Sequence, residues 1–122
     1  MKNFVKVMKA LSEPNRVKII KMLQQKKLCV CEIRAVLKLA QPTVSKHLKI
    51  LEDAGLVVGS KEKLWVNYRL NTTSPSPYGA AMLTQLHQWF NENPEMREIF
   101  KSCPPSTATT PVSTEEIRPA AR

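Results

Sequence analysis

Between Val44 and Leu70 the apolar spacing of this chain changes period at a single glycine. Val44, Leu48 and Leu51 recur at the three-to-four-residue interval of a helix face, and Gly55 stands where a helix ends in a left-handed residue. After it, Leu64, Val66, Tyr68 and Leu70 alternate with Trp65, Asn67 and Arg69, the two-fold pattern of a half-buried strand. Pro42 fits a first helical turn, so the helix is predicted over residues 41–54. Val57 and Val58 begin the partner strand, and residues 59–63 form a charged turn between the two. A buried helix delivered straight into a hairpin leaves few compact arrangements for the remaining chain.

The flanking segments read as helices. Phe4, Met8 and Leu11, with Val7 beside them, give a short first stripe; Ser12 reads as the N-cap of a second helix with Glu13 and Pro14 in its first turn and Val17, Ile20 and Leu23 facing inward. A short third helix over residues 30–37 carries Ile33, Val36 and Leu37, and a three-residue turn, 38–40, leads into the helix of residues 41–54. Residues 71–77 read as a linker. Met82, Leu86 and Trp89, with Leu83 and Phe90 alongside, form a further amphipathic stripe, and Asn93 with Pro94 caps a last helix bearing Met96, Ile99 and Phe100. The class is α+β, mainly α. At 122 residues there is room for one core. One domain is expected over residues 1–103, with the Pro-, Ser-, Thr- and Ala-rich stretch 104–122 as a disordered tail, since Val112 and Ile117 are its only sizeable apolar residues.

Charge narrows the function. Nineteen Lys and Arg oppose ten Asp and Glu, a formal +9, which argues for a polyanionic partner. The excess is local: residues 16–34 hold six cations against one carboxylate, whereas residues 70–122 hold four against five. With Val44, Leu48 and Leu51 turned inward, the opposite face of their helix presents Gln41, Thr43, Ser45, Lys46, His47 and Lys49. Short amides and hydroxyls match base edges and cations match phosphates, so this face suits the major groove of double-stranded DNA. Lys61 and Lys63 flank a hairpin turn that reaches an adjacent minor groove or phosphates, and Arg16, Lys18 and Lys21 are placed to meet the backbone. No apolar run approaches the roughly 18 residues of a membrane span, and the basic residues interrupt any long apolar face, so a membrane partner is not expected. The expected location is the cytoplasm, since residues 1–10 lack the apolar core of a secretory signal.

Three cysteines, Cys29, Cys31 and Cys103, are an odd number for a disulfide framework, and a reducing compartment favours ligand binding or redox sensing instead. Cys29 and Cys31 stand at or just before the start of the third helix, where the dipole and nearby Lys26 and Lys27 favour thiolate. Residues two apart do not share a helix face, so both sulfurs grip one atom only if that first turn distorts. Such a distortion would shift the third helix against the fourth. An enzyme is not expected. A thiol oxidoreductase would call for a two-residue cysteine spacing, strand-helix alternation and a nearby base, none of which is present.

With those residues in view, residues 11–70 resemble the ArsR/SmtB family of winged-helix metalloregulators. The run Gln41, Pro42, Thr43, Val44, Ser45, Lys46, His47, Leu48, Lys49, Ile50, Leu51, followed by Ala54, Gly55, Leu56 and Val57, is similar to the family's reading helix, and Ser12, Glu13, Pro14 and Arg16 to its second-helix entry. Leu28, Cys29, Val30, Cys31 and Glu32 resemble the thiol motif of the arsenic-responsive branch. The resemblance implies a winged helix-turn-helix with a two-stranded hairpin wing, a homodimer formed through the terminal helices, and a repressor of a metalloid-resistance operon. It further implies release from the operator when trivalent arsenic or antimony, or methylarsenite, binds the cysteines, with no cofactor required. Thiolates suit such a soft ligand. The branch often carries another cysteine three residues after the second; here that position is Arg34, which makes Cys103 the candidate third ligand. The zinc site of related sensors is missing, His87 being its only candidate. A thiol-based redox or persulfide sensor on the same scaffold is the alternative reading.

Overall fold

The computed structural model describes residues 1–73 and 76–103. The expected tail and two residues of the expected linker lie outside the described residues. In chain order the elements are α1 (Lys2–Ala10), α2 (Pro14–Leu23), β1 (Leu28–Cys29), α3 (Val30–Leu37), α4 (Gln41–Asp53), β2 (Val57–Glu62), β3 (Trp65–Leu70), α5 (Pro77–Gln88) and α6 (Pro94–Ser102).

One core joins them. Ile19, Ile20 and Met22 of α2, Ile33 of α3, Val44, Leu48 and Leu51 of α4, and Leu28, Leu56 and Val57 around the sheet are all within 1% of complete burial. The inward stripe of α4 is the one its spacing predicts, and truncating Leu48 there would cost about 2–5 kcal/mol. α4 stops at Ala54, and Gly55 follows at φ 79°, a conformation that a side chain would strain. Leu56 N–H then closes on Leu51 O, which turns the chain directly into β2.

The sheet has three strands where the sequence suggested two. Its order is β1-β3-β2, all antiparallel, with Leu28 opposite Tyr68, Cys29 opposite Asn67, and β2 and β3 paired from Val57 opposite Leu70 to Glu62 opposite Trp65. β1 is too short to show a period, which is why the sequence does not announce it. The hairpin turns at Lys63 (φ 59°) and Leu64, later than the predicted 59–63, so Leu64 is a turn residue, 91% exposed, and not part of the buried face. Gly59 lies beneath the Tyr68 ring across the ladder; a Cβ there would fall 2.8 Å from Tyr68 Cε1.

Three further expectations are corrected. The N-cap of α2 is Glu13, whose carboxylate accepts from Arg16 N–H at 3.1 Å, while the Ser12 hydroxyl donates back to Lys9 O at 2.7 Å. On α1 the buried residues are Val7 and Ala10; Phe4, at 40% exposure, looks outward and meets Tyr78 of α5 edge-on, ring centres 5.4 Å apart. Of the α5 stripe, Leu83 and Leu86 are buried and Trp89 is exposed. No helix among the described residues is long and apolar enough to cross a membrane.

Candidate nucleic-acid interface and thiol site

α4 presents a polar face away from the core. Gln41, Thr43, Ser45, Lys46 and Lys49 are exposed, the first three within the first two turns, where unpaired amides and the positive dipole end favour a polyanion. Lys49 lies 3.5 Å from Asp53, one turn on. At the hairpin tip Lys61 and Lys63 are exposed, together with Leu64 and the half-exposed Trp65.

Other predicted contacts face inward. His47 is 13% exposed at its side chain: Arg16 Nη1 meets its Nδ1 at 3.2 Å and Glu13 lies 3.9 Å from its Nε2. The Arg16 guanidinium also donates to Ala10 O at 2.7 Å and Lys9 O at 3.3 Å, so it closes the C-terminus of α1 and braces α4 at once. Lys18 pairs with Glu95 of α6 at 2.6 Å. Lys21, expected near phosphates, is buried to 1% exposure. Its ammonium donates to Leu86 O and Asn91 Oδ1, each at 2.7 Å, and to His87 O at 3.4 Å, capping the last carbonyls of α5 beside the Phe100 ring. Burial lowers its pKa from the ordinary lysine value. The unsatisfied carbonyls at that helix end are what draw a cation into the core.

The thiols sit at the junction of sheet and helix. Cys29 is the N-cap of α3, in extended conformation (φ −91°, ψ 168°), and Cys31 is its second helical residue. Glu32 completes a reciprocal capping box: its carboxylate accepts from Cys29 N–H at 3.0 Å while the Cys29 sulfur faces the Glu32 amide. The spacing of Cys29 to Glu32 carries that signal, but it is masked because sulfur stands in for the usual hydroxyl. Cys31 is exposed and Cys29 half-buried, so neither is lost in apolar packing. Burial raises the Cys29 pKa, reinforced by the Glu32 carboxylate, and outweighs the opposing pull of the Glu32 and Cys31 amides. The activation expected from the helix terminus is therefore reversed at Cys29. Cys103, the C-cap of α6, is half-buried against the core; burial and then Glu32 raise its thiol, with Lys26 opposing.

α3 packs on α4 and α6, so the thiol region borders both the helix with the exposed polar face and the segment that carries Cys103. Among the described residues no three His, Cys, Asp or Glu side chains converge as a ready-made metal site, so Cys103 is not preassembled with the pair. Thiolates in general favour soft atoms, and the two sulfurs stand within the first turn of α3, at its N-cap and second residue. His87 is exposed on α5, and its carbonyl serves Lys21.

A clasp that no local sequence signal announces lies behind Cys29. Lys27 Nζ reaches both Glu62 carboxylate oxygens at 3.2 Å, and Asn67 Nδ2 donates to Glu62 Oε1 at 2.9 Å. These are side chains on three separate stretches of chain, brought together only by strand pairing.

Comparison with known proteins bears on the family and the fold. Residues 13–58 match the family described as bacterial regulatory protein, arsR family. The chain is 34% identical over 99 residues to the arsenical resistance operon repressor of Escherichia coli K12, spanning 80% of this chain and 82% of that one. Among solved structures it resembles HlyU from Vibrio cholerae, with a TM-score of 0.62 and 34% identity over 73% of this chain and 92% of HlyU. It also shares its fold with Mb0332 from Mycobacterium bovis, described as a homodimeric winged helix-turn-helix DNA-binding domain, at a TM-score of 0.62 and 24% identity over 75% of this chain and 81% of that one.

Proposed function

The chain belongs to the ArsR family of bacterial regulatory proteins and is a DNA-binding transcriptional repressor; from that premise we propose that trivalent arsenic or antimony, captured by Cys29 and Cys31, releases it from its operator. One observation carries the reading: two accessible sulfurs occupy the N-cap and second residue of a short helix that packs against the reading helix. The name of the Escherichia coli relative, an arsenical resistance operon repressor, supports the same ligand.

The chemistry balances without redox. Arsenous acid carries three As–O bonds; each thiol replaces one of them with As–S, and the displaced hydroxide leaves as water with the thiol proton. Two cysteines thus yield a dithiolate that keeps one hydroxide. A third sulfur, from Cys103 of either protomer or from a free thiol, would displace it, and methylarsenite, with only two exchangeable oxygens, is satisfied by the pair alone. Because the N-cap and second residues of a helix do not face one another, closing both sulfurs on one atom takes the Cys29 sulfur away from the amides it caps and unwinds the first turn of α3.

DNA binding is assigned to Gln41, Thr43, Ser45, Lys46 and Lys49 of α4 and to Lys61 and Lys63 of the wing, with Arg16 and His47 holding α4 in place. The outward apolar side chains Phe4, Val5 and Tyr78 of α1 and α5 form the seam of a homodimer, residues 1–103 acting as the folded unit. Such a dimer reads an inverted repeat with half-sites about 34 Å apart, one turn of DNA. A fluorescently labelled promoter fragment bound to the protein, then given arsenite, antimonite, methylarsenite, zinc or peroxide separately, tests the reading. Release by the trivalent metalloids in reducing buffer is expected. Release by peroxide alone would replace it with a redox sensor.

A further inference from the structure

We infer that the ligand state of Cys29 is conveyed to the wing directly, through β1 and the Lys27–Glu62–Asn67 clasp, as well as to the reading helix through α3. The inference rests on Cys29 being a metalloid ligand. Cys29 belongs to two elements at once: its backbone pairs with Asn67 of β3, and its side chain and amide close the capping box of α3. A rotation of Cys29 that brings its sulfur toward Cys31 must therefore disturb the strand pair, the cap, or both.

The clasp makes the strand pair matter. β1 contributes only Leu28 and Cys29, a ladder too short to hold a hairpin by itself. Beyond the Gly59–Tyr68 pair, Ser60, Lys61, Lys63, Leu64, Trp65 and Val66 are all exposed, and only Glu62 and Asn67 are half-buried. Those two are the residues that Lys27 and Cys29 engage, so the outer half of the wing is moored to the body at this point. Moving residues 27–29 moves the mooring and, with it, Lys61 and Lys63. Lys27, Glu62 and Asn67 are positioning residues in this scheme: none need touch ligand or DNA.

The test uses the full-length protein labelled with 5-fluorotryptophan, which places one reporter at Trp65, directly opposite Glu62 in the ladder, and another at Trp89, the C-cap of α5. A Trp65→Phe variant assigns the two signals. Arsenite binding is followed independently by As–S absorption, and operator affinity by fluorescence anisotropy with and without arsenite. In the wild type, arsenite is expected to shift the Trp65 resonance. In Glu62→Gln, arsenite should bind equally well but move Trp65 less. The ratio of operator affinities without and with arsenite should also shrink by about threefold, the scale of one half-exposed ion pair. A clasp that only stabilises the fold would lower both affinities together and leave the ratio unchanged, which would overturn the inference. So would a still Trp65 signal in wild-type protein that binds arsenite and leaves DNA. If no As–S absorption develops at all, the metalloid reading falls first and carries this one with it.

Discussion

Cys29 holds two jobs that one substitution separates. As the N-cap of α3 it faces the Glu32 amide, and as a thiol it is half of the proposed ligand pair. Serine at this position keeps a cap and places a stronger acceptor, oxygen, where sulfur now sits, so Cys29→Ser should leave stability unchanged or raise it. Alanine removes the acceptor and leaves Glu32 with one half of the box, its 3.0 Å bond from Cys29 N–H. The loss for Cys29→Ala should be about 0.5–2 kcal/mol, the usual worth of a cap side chain, with sulfur placing it at the lower end. Urea denaturation of the three proteins measures this order, and anisotropy with labelled operator measures function. Both variants should bind DNA and neither should be released by arsenite. A Cys29→Ser protein that still let go on arsenite addition would remove this sulfur from sensing, and one destabilised as much as Cys29→Ala would remove it from capping.

Other outcomes follow from the same geometry. Lys21→Met leaves Leu86 O without its buried donor and should cost about 1–3 kcal/mol in denaturation. Because the folded Lys21 pKa is lowered, the native state binds that proton less readily than the unfolded chain, so the wild type's advantage over Lys21→Met should grow as pH rises through the folded value toward the ordinary lysine value. Replacing Lys61 and Lys63 by Gln should weaken operator binding and flatten its salt dependence by about 0.9 log units per log unit for each phosphate no longer neutralised, read from anisotropy at several salt concentrations. Lys38, the left-handed C-cap of α3 at φ 58°, should give way to glycine with a gain of about 0.5–1 kcal/mol in the same denaturation assay.

Periodic burial was legible in the sequence and single-residue obligations were not. Val44, Leu48 and Leu51 announce α4 because a helix lying on a core repeats its demand every turn. The limits of α3 fall at residues 30 and 37, as expected, because the thiol motif and the Lys38 turn punctuate it. β1 offers no such repetition: two residues become a strand only because β3 passes beside them. Leu64 and Val66 keep the parity of Tyr68 and Leu70, yet they are exposed, because the hairpin leaves the body beyond Tyr68 and parity carries no information once nothing lies beneath. Lys21 fails in the opposite sense. A lysine is ordinarily an outside residue, and only the open carbonyls at the end of α5, sixty-five positions away in the chain, explain its burial.

The formal charge of +9 therefore overstates what faces DNA. Along α2 and its exit, Arg16 is held by α1 and His47, Lys18 by Glu95, Lys21 by the end of α5, and Lys27 by Glu62. Each of these cations ties α2 or its exit to a different part of the fold: the first helix and the reading helix, α6, α5, and the wing. In a dimer built on α1 and α5, the separation of two reading helices depends on how firmly α4 is fixed to the seam, which it meets directly at α1 and through α2, the helix that contacts both α4 and α5. An inverted repeat has a fixed half-site spacing, so slack in that connection would weaken operator binding as surely as removing a cation from a phosphate. On the proposed reading, the cations of α2 bear on DNA binding by setting geometry, and the exposed cations of α4 and the wing by meeting charge. Salt should screen the second group far more than the first, whose buried members sit beyond its reach.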